Sequence, residues 1–278
     1  MTIQTYTLND ETTLPAIGFG TAGLRGEAAV EATTSAVEAG YRLVDTAVNY
    51  ENEREVGEAL RRSGVPRDEL RVTSKIPGRH HGYDDAIAST RESLERLGLD
   101  HLDLHLIHWP NPSRGLYVDA WRALVDLREQ GLVRSIGVSN FTAEHLDRII
   151  DETGVAPSVN QIEVHPLFPQ AEMRRANEER GVRTESWSPL GKRQAPLAEA
   201  PVRAAAEAHG VTPGQVILRW QVQQGNLPIP KSATPSRQRE NLDVFGFELD
   251  EAQMEAITAL GRSDGRLFGG DPDSHEEM

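Results

Sequence analysis

The chain predicts a (β/α)8 barrel, eight parallel strands closed into a ring and wrapped by helices, with an N-terminal β-hairpin and a C-terminal tail near the barrel mouth. Three observations lead there. A length of 278 residues suits one α/β barrel or a two-part dinucleotide enzyme. Short apolar runs alternate with helical patterns eight times, whereas a doubly wound dinucleotide domain uses about six strands and then changes character. Residues that carry chemistry recur where those runs end, and strand C-termini are where barrels keep their sites.

The elements follow in order. Residues 5 to 16 alternate weakly around Asn9-Asp10-Glu11, which predicts a hairpin ahead of the main fold. Strands are expected near 17–20, 42–45, 71–75, 102–108, 133–139, 158–163 and 183–188. After them come helices near 27–39, 52–61, 84–97, 116–129, 143–151, 170–179 and 213–224. An eighth strand, Leu227-Pro228-Ile229, leads to a helix from about Pro235. Because no linker, repeat or low-complexity segment interrupts the series, the chain reads as one domain over 1–278: hairpin 1–16, barrel 17–245, C-terminal helix and tail 246–278. That glycine-rich, then acidic tail is a frayed end or a cover for the mouth.

Composition narrows the class. Hydrophobic residues make up 38% and charged residues 26%, and no apolar run approaches the ~20 residues of a membrane span. The opening M-T-I-Q-T-Y-T-L lacks the basic and apolar regions of a signal peptide, which with the missing cysteines makes the cytoplasm the expected compartment. Absence of cysteine also removes disulfides, a thiolate nucleophile and zinc-thiolate sites, and no metal is expected. A net charge of -14 argues against a nucleic-acid surface, so any anionic ligand must be gripped by local positive charge. Only three lysines occur, Lys75, Lys192 and Lys231.

The residues ending the strands are Asp45, then Tyr50 in the next loop, Lys75, His108, Ser139-Asn140, Gln161 with Glu163, Trp187 and Lys231. Asp, Tyr, Lys and His at successive strand ends have a joint meaning. A phenol at its reference pKa of ~10 donates poorly at neutral pH, and lowering it by about three units represents ~4 kcal/mol of preference for the phenolate. Lys75 is placed to supply much of that, with Asp45 keeping the ammonium charged despite burial. His108 would donate to a carbonyl oxygen or steer the substrate beside Tyr50 as general acid. The reaction served is hydride addition to a carbonyl. Singly, each has a bland reading: Lys75 a snorkelling lysine, His108 a core histidine, Asp45 a helix cap, Tyr50 a surface ring.

The same residues resemble the aldo-keto reductase superfamily over nearly the whole chain. The motifs are D-T-A-V-N-Y with E-N-E at 45 to 53, S-K-I at 74 to 76, L-I-H-W-P at 106 to 110, G-V-S-N-F at 137 to 141, N-Q-I-E-V-H-P at 160 to 166, W-S-P-L-G at 187 to 191, and I-P-K-S with R-Q-R-E-N at 229 to 241. The resemblance implies a catalytic tetrad of Asp45, Tyr50, Lys75 and His108, and NADPH lying extended across the mouth. It implies cofactor contacts from Gly20, Thr21 and Asp45, with Ser139, Asn140 and Gln161 on the carboxamide and Trp187 stacked on the nicotinamide. Ser188, Leu190 and Gly191 would line the pyrophosphate path; Lys231, Ser232 and Arg237 would grip the 2′-phosphate, with Glu240 and Asn241 near the adenine. Ala22, Tyr50, His108, Trp109 and Phe268 would wall the substrate pocket, widened by the small Ala22. Within the superfamily the likeness is to the bacterial 2,5-diketo-D-gluconate reductase group, so the expected partner is a small carbonyl compound (a keto sugar, α-dicarbonyl or small aldehyde) and the expected state a monomer.

Two other readings compete. Gly18 to Gly23 matches G-x-G-x-x-G, the pyrophosphate turn of a Rossmann-type dehydrogenase, with Asp45 on the ribose. Against it stand a poor preceding strand with Pro15 inside and a wide gap to Asp45. The second is a non-catalytic barrel that binds nucleotide, which would have no need of a phenol beside a charged lysine.

Overall fold

The computed structural model describes residues 3–192 and 195–278. The hairpin pairs β1 (Thr5–Thr7) antiparallel with β2 (Thr13–Pro15), Tyr6 opposite Leu14. Its turn is held by Asp10, whose Oδ1 accepts from the Thr12 N–H at 3.0 Å and whose Oδ2 accepts from Ser135 and Ser158 hydroxyls at 2.7 and 2.8 Å. Leu8 and Leu14 thereby pack into the same apolar cluster as Leu43, Leu104, Leu106, Val159, Leu227 and Ile229, so the hairpin plugs the barrel floor.

Eight parallel strands follow in chain order: β3 (Phe19–Gly20), β4 (Leu43–Asp45), β5 (Arg71–Ile76), β6 (Leu102–Ile107), β7 (Val133–Ser139), β8 (Val159–Glu163), β9 (Arg183–Trp187) and β10 (Leu227–Pro228). Each pairs with its neighbour in sequence, for example Val44 with Val72 and Gln161 with Glu185. A dinucleotide domain reverses its strand order midway; this sheet never does, which removes the Rossmann reading.

The ring closes between β10 and β3 through backbone bonds from Gly18 N–H to Pro228 O (3.0 Å) and Gly20 N–H to Pro230 O (3.2 Å). Proline has no N–H to return, so this seam is bonded in one direction only, while Ile229 between the prolines faces β9 and donates to Ser186 O. A Cβ on Gly20 would sit 2.9 Å from the Ile229 carbonyl and one on Gly18 2.9 Å from Leu43. Those glycines are required for close packing at the closure, and the motif that resembled a phosphate turn has a structural cause.

Ten α-helices cover the ring among the described residues: α1 (Gly26–Ala39), α2 (Glu53–Arg62), α3 (Tyr83–Leu97), α4 (Tyr117–Glu129), α5 (Ala143–Thr153), α6 (Ala171–Glu179), α7 (Ala200–His209), α8 (Pro213–Gln223), α9 (Pro235–Leu242) and α10 (Glu251–Thr258). Starts are capped where the sequence permits: Thr142 and His145 form a capping box before α5, and Thr212 with Gln215 does so before α8, where Pro213 occupies the first turn. The sequence did not predict α7. It lies between β9 and α8, with Pro201 in its first turn, and buries Val202, Ala205 and Ala206 against Val216, Trp220 and Ile257. After α10 the chain turns back over the strand C-termini, so the tail covers the mouth.

Candidate active site

Strand ends and their loops bring the predicted groups together. Asp45 closes β4, and the chain then makes a one-turn 3-10 helix, residues 48–50, that ends on Tyr50. Behind this turn Asn52 is fully buried, accepting from the Thr46 hydroxyl at 2.6 Å and donating to Thr21 O and Leu24 O, which ties the loops after β3 and β4 together. Lys75 lies in β5, where the strand's alternation sends it into the ring.

All three ammonium hydrogens of Lys75 have an acceptor: Asp45 Oδ1 at 2.6 Å, Thr46 O at 3.0 Å and Tyr50 Oη at 3.2 Å. Lysine and aspartate side chains are 0% and 1% exposed. Burial opposes the lysine charge, but the Asp45 carboxylate and the Tyr50 oxygen outweigh it and raise the ammonium above its ordinary value. Opposite, the His108 ring meets the Tyr50 ring edge-on, centroids 5.7 Å apart.

One expectation is corrected. The Tyr50 phenol is not lowered but raised, because loss of hydration around the half-buried ring exceeds what Lys75 returns; the nearby Asp45 and Glu277 charges raise it further. Tyr50 therefore keeps its proton at neutral pH. Since its oxygen accepts from Lys75, the O–H is left to point elsewhere.

Asp45, Tyr50 and His108 line a cavity of about 680 Å³ that also includes Gly20, Ala22, Trp109, Ser139, Asn140, Gln161, Trp187, Ser188, Leu190, Gly191, Lys231 and Phe268 among its walls. Gln161 donates to Asp45 Oδ2 (2.9 Å) and Glu185 Oε1 (3.1 Å), and the Ser139 hydroxyl donates to Gln161 O at 2.7 Å. Asn140, in the left-handed region at φ 61°, spends both amide hydrogens on His108 O and Ser139 Oγ and accepts from Trp187 Nε1 at 2.8 Å. It braces the wall and orients the Trp187 ring. Thr21 is bonded beneath the site to Asp45 O.

The remaining predicted contacts lie beyond the cavity around α9. Ser232 forms a hydroxyl turn with Thr234, Glu240 accepts from Thr212 at 2.8 Å, and Asn241 is buried. Lys231 and Arg237 are exposed, and among the described residues neither forms an ion pair. Two exposed cations without an ion pair among the described residues therefore flank the start of α9 in a chain of charge -14.

Sequence reasoning missed three contributors. Glu185 sits fully buried in β9, with Oε1 bonded to Gln161 and Oε2 unpartnered. Burial and the Asp45 charge push it up to about 8, against the pull of Lys75 and of the Gln161 bond. Its alternation with Trp187 along β9 was the available signal. Lys192 stands over the Phe268 ring, 3.3 Å from its centroid, and Phe268 in turn tilts against Trp187. The tail end, with His275 against Trp109 and Glu277 beside His108, had no signal in the sequence. A groove at the opposite end, lined by Arg174, Arg175 and Arg183, holds no comparable convergence.

Barrel and site together define a protein class. Residues 16–262 match the aldo/keto reductase family, and the chain belongs to it. It is 60% identical to 2,5-diketo-D-gluconic acid reductase B of Corynebacterium sp. (strain SHS752001), across 99% of both chains. An aldo-keto reductase of Mycolicibacterium vanbaalenii is 50% identical over 98% of this chain and 97% of its own. Among solved structures, a Gox0644 variant in complex with NADPH superposes with a TM-score of 0.95 at 45% identity, covering 99% of this chain and 100% of the other. The Bombyx mori aldo-keto reductase in complex with NADP superposes at 0.88, with 33% identity and 94% of each chain covered.

Proposed function

We propose that this aldo-keto reductase uses NADPH to reduce an aldehyde or ketone to an alcohol, with Tyr50 as proton donor and a keto sugar of the 2,5-diketo-D-gluconate type as the leading candidate substrate. One observation carries the mechanism: a fully buried lysine whose three donors converge on a carboxylate, a backbone carbonyl and the phenol oxygen. NADPH as cofactor is supported by the NADPH and NADP complexes of the neighbouring structures. The unpaired Lys231 and Arg237 suit its 2′-phosphate, a group NADH lacks. The candidate substrate rests on the 60%-identical relative named for that keto acid.

The cavity fits the cofactor: the Trp187 ring offers a flat face beside Ser139 and Gln161, and the walls continue through Gly191 toward Lys231. When bound, the reduced nicotinamide supplies hydride to the carbonyl carbon. Tyr50 then faces the oxygen that gains charge. Its proton moves from Oη to that oxygen, and Lys75, already bonded to Oη, stabilises the phenolate left behind. Asp45 keeps the ammonium charged and in place, and His108 fixes the carbonyl from the other side of the tyrosine ring. Trp109, Trp187 and Phe268 give the cavity its aromatic walls.

The test is NADPH oxidation against a panel of keto sugars, α-dicarbonyls, small aldehydes and simple ketones, with wild type and Tyr50→Phe. Removing the acid lowers kcat by roughly 10²- to 10⁴-fold while NADPH affinity stays unchanged. Turnover surviving the substitution overturns the assignment.

A further inference from the structure

We infer that Glu277, the penultimate residue, is a positioning residue of the active site whose carboxylate holds the His108 imidazole from behind with Nε2 toward the carbonyl to be reduced. This rests on the reading of His108 just given. Glu277 Oε1 lies 2.8 Å from His108 Nδ1, with the side chains 15% and 11% exposed. The approach is at ion-pair distance but off the line of the N–H bond, so charge matters more than directional hydrogen bonding. Glu277 is not a wall of the cavity that His108 lines; it stands on the other side of the ring.

The niche that receives it is built from several loops. Asn49 Nδ2 donates to the same carboxylate oxygen at 2.8 Å and to Met278 O at 3.2 Å, and is itself oriented by Arg79. Asn111 Nδ2 donates to the Glu277 backbone carbonyl, and the Ser113 N–H donates to Glu276 Oε1 at 2.8 Å. Gly78 leaves the space: a Cβ there would collide with the Glu277 carbonyl. Earlier in the tail, Gly270 and His275 pack on Trp109, and the Leu267 N–H donates to Glu163. The tail is thus tied at both ends of its crossing, and its last side chains have a prepared seat.

The chemistry explains why an acid belongs there. A carboxylate beside Nδ1 favours the ring orientation that keeps Nδ1 on the Glu277 side and leaves Nε2 to the cavity that His108 lines. Burial alone would raise the Glu277 acid, yet contact with His108 and the Asn49 bond bring it below its ordinary value, so it carries its charge at neutral pH. Glu277 touches neither reacting atom nor cofactor and acts through His108.

The experiment uses the full chain, tagged at its N-terminus, with Glu277→Gln, which keeps the size and the Asn49 bond but not the charge. Expected is a drop in kcat of about 10- to 100-fold, the range for losing a charged partner, with NADPH affinity and melting temperature unchanged. In a His108→Gln background the same substitution has no further effect beyond about twofold, since coupled groups are not additive. Added formate restores part of the rate of Glu277→Ala. A Glu277→Gln enzyme within twofold of wild type, in a protein that His108→Gln impairs, overturns the inference alone, as does an equal loss in both backgrounds. An unimpaired His108→Gln removes the reading of His108 and this inference with it.

Discussion

Lys75→Met separates the two tasks of one side chain. For stability, it strands Asp45, a carboxylate 1% exposed that loses its ion partner at 2.6 Å. Leaving one member of a buried pair uncompensated costs about 3–5 kcal/mol. Gln161 Nε2 still donates to Asp45 Oδ2, so the lower half of that range is expected. For catalysis, the ammonium sits 3.2 Å from Tyr50 Oη. At an effective dielectric of 20, two full charges at that separation attract by about 5 kcal/mol. With the phenolate half formed in the transition state, about half of that is lost, roughly 10²-fold in kcat. Urea melts and steady-state NADPH oxidation measure the two separately. Adding Asp45→Asn recovers most of the stability and none of the rate, because it removes the orphan charge without restoring the donor to Tyr50. A Lys75→Met enzyme within threefold of the wild-type rate refutes the role of Lys75; a double variant as unstable as the single one refutes the orphan-charge account.

Two further outcomes follow from groups described above. Glu185 rises from an ordinary 4.5 to about 8 on folding, so the folded chain holds a proton that the unfolded chain releases between those values. Stability therefore falls as pH rises from 4.5 toward 8, by up to about 1.4 kcal/mol per unit from this group, and Glu185→Gln, which mimics the neutral acid, flattens the slope of urea midpoint against pH; an unchanged slope refutes it. Lys231→Gln and Arg237→Gln each weaken NADPH binding by about 5- to 10-fold with NADH unaffected, measured by fluorescence titration; equal losses for both nucleotides refute the phosphate assignment.

The clustering of Asp45, Tyr50, Lys75 and His108 was legible because these residues end or follow consecutive strands, where local sequence shows both the apolar run and the polar residue that stops it. Lys75 and Asp45 are thirty positions apart, yet parallel pairing of β4 with β5 places them at neighbouring ends. The helix over Ala200–His209 escaped notice because a strand-then-helix count admits one helix per strand, and its buried face of Val202, Ala205 and Ala206 is too small to make a strong stripe. Tyr50 shows a different limit. Its neighbours could be read from the motif, but the sign of its shift depends on how much water burial removes, which no spacing reports. Glu277 shows a third: D-P-D-S-H-E-E-M carries no periodicity, and its placement depends on Asn49, Gly78 and Asn111, drawn from three separate loops.

Pro228 and Pro230 leave the β10–β3 closure fastened from one side only. Gly20 stands on one lip of that join and Lys231 follows directly from the other, and both border the cavity. If NADPH binds as proposed, with its 2′-phosphate on Lys231, a nucleotide that also rests against Gly20 would bridge the two lips. In that case, part of what binds the cofactor would also fasten the cylinder at a seam its own backbone bonds from one side only.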